Sequence, residues 1–123
     1  MGAKQLQELA DSLNYLDERV KRLDCNYFAD EVTLTYGDNG RSVIYNFTGC
    51  YKVVFEHVKQ YDKPVPSKDL SIPQIPYFLQ DVEISSLFED NIEFYVCKIN
   101  LFPLNMEIWC KQLKIVEEDT KNA

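Results

Sequence analysis

The chain has 123 residues, 46 % apolar and 13 % aromatic, which is enough for one domain with a real core. Its 20 acidic residues outnumber 13 basic ones for a net charge of −7. That balance argues against a general nucleic-acid binder, whose affinity comes from cations meeting phosphates, and the aromatic content excludes a disordered tail.

The opening residues are polar and amphipathic, with no apolar signal core, and no later stretch has the length of a membrane-spanning helix. A cytosolic location is therefore expected, with Cys25, Cys50, Cys97 and Cys110 as thiols and no membrane partner.

Leu6, Leu9, Leu13, Leu16, Val20 and Leu23 recur at alternating spacings of three and four, one apolar helical stripe. The spacing predicts a helix over residues 3–24, supported by Asp17 with Lys21 and Glu18 with Arg22 one turn apart. Such a helix could pack on the protein's own sheet or pair two copies, so the chain is read as monomer or homodimer.

From residue 27 the period falls to two, opening a β-rich body over 27–116. Val32, Leu34 and Tyr36 alternate with Thr33 and Thr35, and Asn39-Gly40 is a strong hairpin signal. A turn there sets Tyr36 against Val43, Leu34 against Tyr45 and Val32 against Phe47, all apolar pairs on one face. Residues 50–58 read as a further strand. Thr48-Gly49 before it is either a tight turn or a bulge in one long strand.

Residues 59–76 carry Pro64, Pro66, Pro73 and Pro76 among charged side chains and read as a long loop, either a binding element or an inert crossover. Strands follow at Phe78–Ser85, Ile92–Leu101 and Met106 to about Val116. A turn on Pro103-Leu104 would set Leu101 against Met106, Ile99 against Ile108 and Cys97 against Cys110, with Lys98 opposite Trp109 on the other face. Apolar parity changes between Cys110 and Leu113, which predicts a bulge or bend near Lys111-Gln112. The tail 117–123 is expected to fray. The whole is a single α+β domain, an N-terminal amphipathic helix packed on a mostly antiparallel sheet of five or six strands.

No catalytic set is legible, and no cofactor is implied. His57 is the only histidine, and its sequence neighbour Glu56 points to the opposite face of a strand. The cysteines lack metal-ligand spacing. Cys97 and Cys110 read as buried core thiols, with a disulfide as the alternative in an oxidising setting. The four glycines belong to no nucleotide-binding loop. What remains is an acidic group, Asp81, Glu83, Glu89, Asp90 and Glu93, read either as a solvated face or as a protein-recognition surface for a basic partner such as a nuclease or other basic site.

The segments Phe28–Tyr36, Val43–Phe55, Phe94–Phe102 and Met106–Ile115 together resemble small β-rich immunity proteins of bacterial polymorphic-toxin and contact-dependent inhibition systems, most nearly the Imm50-type sheet proteins. The resemblance implies stoichiometric neutralisation of a toxin domain without catalysis, and carries over no individual residue. Two other functions fit the residues: a small-ligand or enzyme-like domain with an aromatic pocket between helix and sheet, and a structural module dimerising through the N-terminal helix.

Overall fold

The computed structural model describes residues 2–38, 40–59, 65–71 and 76–119. A helix α1 spans Ala3–Ser12, and strands β1 (Val20–Asn26), β2 (Glu31–Tyr36), β3 (Arg41–His57), β4 (Asp81–Glu89), β5 (Ile92–Leu101) and β6 (Leu104–Asp119) follow. The strands form one six-stranded sheet in the order β1-β2-β3-β6-β5-β4, antiparallel throughout. The α+β arrangement expected from the sequence is the one observed.

The helix is half the expected length. It is capped by Gln5, whose Oε1 accepts from Gly2 N at 2.6 Å, and it ends before the left-handed residues Asn14 and Asp17. Leu6 and Ala10 are buried, but Leu16 is 63 % exposed. Val20 and Leu23 reach the core from β1, where a register shift between Val20 and Arg22 lets residues three apart share a face. Helix, turn and bulged strand together thus imitate one long helical stripe. The expected ion pairs dissolve with it: Glu18 lies 3.4 Å from Arg41, and Arg22 pairs with Asp24 at 2.5 Å. What remains of the helical stripe packs on the protein's own core.

The β2–β3 hairpin has the expected register, with Tyr36, Leu34 and Val32 opposite Val43, Tyr45 and Phe47. Asn39 of its turn lies outside the described residues. Thr48-Gly49 lies within one long strand, with Gly49 at φ 62°, and the bulge follows directly, where the β3–β6 register shifts between Cys50 and Lys52. Opposite it, Lys111 and Gln112 are both exposed between buried Cys110 and Leu113, so β6 changes parity where expected.

The β5–β6 register differs by two residues from the expected one. Leu101 faces Leu104, Ile99 faces Met106 and Cys97 faces Ile108. The turn falls on Phe102-Pro103, one residue earlier than expected. A slip of two preserves which face each side chain occupies, so the core assignment survives while the pairs change. Lys98 faces Glu107, not Trp109. Other bounds move as well. Tyr27 to Ala29 form a turn, β4 runs from Asp81 to Glu89, β6 begins at Leu104, and Glu117–Asp119, expected to fray, pair with Val43–Arg41. Of the proline-rich segment, residues 60–64 and 72–75 lie outside the described residues, and Ser67–Asp69 forms a single 3-10 turn.

The inner face carries the core. Tyr36, Tyr45, Phe47, Leu34, Leu79 and Ile108 are wholly buried in a cluster that also takes in Leu6 and Ala10. Burying a side chain of this size contributes about 1.5–3 kcal/mol. An isolated bridge between Arg19 and Phe78 joins the segments leading into the two edge strands, so the sheet curls toward closure around this core. Beside the edge strand β4 lies α1, and Gln7 completes the join: its Nε2 donates to Val82 O at 2.9 Å and its Oε1 accepts from Ile84 N at 2.6 Å. One side chain supplies what a neighbouring strand residue would.

Candidate functional site

Because side chains alternate, the strands that bury Ile99 and Ile108 inward turn a second set outward. This outer face of β3, β6, β5 and β4 carries Lys52, Trp109, Glu107, Phe94, Val96, Lys98, Leu87, Glu83 and Asp81. Phe94 and Val96 are buried yet stand apart from the main core. The ring of Tyr51, itself 67 % exposed, stacks on Phe94 with centroids 5.1 Å apart. On the other side Phe94 meets Trp109 at 6.5 Å. Leu87 lies directly opposite Phe94 on the edge strand.

Trp109 is held in place. Its Nε1 donates to Glu107 Oε2 at 2.9 Å, and Lys52 Nζ lies 3.4 Å from the same oxygen and 4.7 Å from the Trp109 ring centroid. The indole donor first, then Lys52, holds the Glu107 carboxyl below its ordinary range. The cation–π contact expected of Lys98 is made instead by Lys52, since Lys52 is the register partner of Trp109.

The five acidic residues singled out in the sequence separate. Asp81 and Glu83 lie on the outer face, where Glu83 opposes Lys98 and Lys98 opposes Glu107. With Glu56, Asn100 and Asn105, Asp81, Lys98 and Glu107 line a shallow depression. Glu89 has the same outward parity but stands beyond Ser85 and Leu87, near the turn of left-handed Asp90 and Asn91. Glu93 has the opposite parity and faces Phe88. Sequence reasoning missed the aromatic group. Trp109 was legible as an outward residue, but Tyr51 joins it only because the β3 bulge shifts the alternation there.

His57 Nε2 lies 3.0 Å from Tyr77 Oη, which is 3.1 Å from Ser67 Oγ, beside Val20, Leu23, Leu101 and Leu104. Among the described residues, no group of three or more His, Cys, Asp or Glu is placed to hold a metal. All four cysteines are free thiols, and Cys110 opposes Cys50 in place of Cys97. Burial pushes Cys110 up to about 12, Cys50 up to about 11 and Cys97 strongly upward. Such thiols stay protonated and are poor nucleophiles. Leu6 and Ala10 pack into the core between helix and sheet, where an aromatic pocket was one expectation.

Fold and face together define an α+β protein that displays a mixed aromatic and charged sheet surface. The chain matches the family Immunity protein PIM7 over residues 2–117 and belongs to that immunity-protein family. No curated protein matches it. The immunity-protein class that the strand segments resembled is therefore the right one, with PIM7 as the family within it.

Proposed function

We propose that this protein neutralises a cognate toxin domain by binding it directly and stoichiometrically, without catalysis, in the cytoplasm of a bacterial cell. Membership of the PIM7 family is the observation that carries this reading. The contact surface is the outer sheet face. Tyr51 and Trp109 supply aromatic area, braced from beneath by buried Phe94, and Lys52 and Glu107 fix its centre. Aromatic side chains in fixed positions lose little entropy on association and dominate many protein interfaces.

Asp81 and Glu83, with Glu89 and Asp90 at the hairpin end, favour a basic partner such as a nuclease domain, and the net charge of −7 would speed the encounter. Glu93, facing the other way, is outside this contact.

Coexpression with the toxin domain encoded by the neighbouring gene tests the reading. Growth should be restored and the two chains should copurify at equal stoichiometry. Unrelieved toxicity with soluble immunity protein present would remove it.

A further inference from the structure

The connection between β1 and β2 presents its aromatic residues in an unusual way. Tyr27, Phe28 and Ala29 take φ values of 54°, 59° and 69°, three left-handed residues in succession. Every other left-handed position among the described residues is Asn, Asp or Gly: Asn14, Asp17, Gly37, Gly49, Asp90 and Asn91. Those types tolerate the conformation, whereas a bulky aromatic residue there is strained.

The strain yields no burial. Phe28 is fully exposed and Tyr27 is 72 % exposed. Two hydrogen bonds tie the turn down, Asp30 N to Tyr27 O at 3.1 Å and Cys50 N to Asp30 O at 3.0 Å. The second fastens the tip beside Tyr51, where the aromatic face begins. A glycine at position 28 would suit the backbone better and would spare the hydration of an apolar ring. Two unfavourable features retained together at one residue suggest a gain realised only in a complex.

We infer that Phe28, flanked by Tyr27, is an anchor that inserts into an apolar socket on the toxin domain, and that the socket has a cationic rim meeting Asp30 and Glu31. The inference rests on the immunity-protein function proposed above. An aromatic ring held on a preorganised turn is the kind of residue that carries a large share of binding energy. Asp30 and Glu31 follow the tip directly, and their charge is what a cationic rim would meet.

The test uses full-length Phe28→Gly and Phe28→Leu, with the neighbouring-gene toxin domain as probe. Phe28→Gly should weaken binding by about 100-fold, as loss of a hot-spot anchor does. The same variant should unfold at a higher urea concentration than the wild type, because the strain is relieved. Phe28→Leu should recover most of the affinity. Undiminished binding by Phe28→Gly overturns the anchor while leaving the immunity reading intact. Lost binding with a lowered unfolding midpoint overturns it too, because the residue would then be structural. A wild-type chain that fails to bind or protect removes both readings. For the rim, Asp30→Asn with Glu31→Gln should flatten the salt dependence of association, and an unchanged slope refutes that part.

Discussion

Replacing Gln7 with Ala should destabilise the protein far more than its position on a short, partly exposed helix suggests. Two hydrogen bonds to the β4 backbone disappear, Nε2 to Val82 O and Ile84 N to Oε1, at 2.9 and 2.6 Å. Each contributes about 1 kcal/mol net, and a shielded Ile84 N–H left without a partner adds about 1 kcal/mol. The better helix propensity of Ala returns only about 0.4 kcal/mol. The expected loss is therefore about 2–3 kcal/mol, or a Tm lowered by about 8–12 °C for a chain of this size. Gln7→Glu sharpens the test. It keeps the acceptor for Ile84 but turns a carboxylate oxygen toward the Val82 carbonyl, so folding raises the pKa of that carboxyl. A group whose folded pKa is raised favours the folded state when protonated, so this variant should gain stability as pH falls from 7 toward 4. Urea titrations at both pH values and hydrogen exchange at the Ile84 amide supply the readout. A Gln7→Ala loss below about 0.5 kcal/mol, or unchanged protection of Ile84, would refute the account of Gln7 as a substitute strand residue.

Other outcomes follow from the same structure. Tyr36 and Tyr45 are buried with hydroxyls 3.4 Å apart. Either single change to Phe should cost about 1–2 kcal/mol by stranding a polar group, while the double change should cost less than the sum in a double-mutant denaturation cycle. A thiol reagent should modify exposed Cys25 quickly, half-buried Cys50 with its raised pKa slowly, and buried Cys97 and Cys110 only on unfolding. Rapid loss of three or more thiols would contradict this. Arg41 donates to Glu117 at 2.5 Å and also to Leu13 O, so Arg41→Ala should lower stability by about 1–3 kcal/mol by thermal melt. Reversing Asp81 and Glu83 to Lys should slow association with a basic toxin domain at low salt with little change in dissociation, measured by stopped flow.

How much was legible depended on whether the local signal was unique. The β2–β3 register was readable because Asn39-Gly40 and three apolar pairs agree on one alignment. The β5–β6 register was not, because Phe102-Pro103 and Pro103-Leu104 both place apolar residues on one face and differ by a full two-residue period. Residues 13–23 misled for a different reason. A turn and a bulged strand can return side chains to the core at helical spacing, and only the long-range pairing of β1 with β2 decides the matter. The acidic residues were visible, yet their separation depends on strand parity and on the β4–β5 turn. The aromatic group needed tertiary contact, since Tyr51, Phe94 and Trp109 meet across three strands.

The one-sided placement of the core has a consequence for how such a molecule can diverge. The main hydrophobic cluster of the sheet is built from inward side chains, while most of the outward ones stand apart from it. Residues such as Glu83, Lys98 and Tyr51 can therefore be exchanged without loosening the scaffold, so a new adversary can be matched by repainting one surface on an unchanged frame.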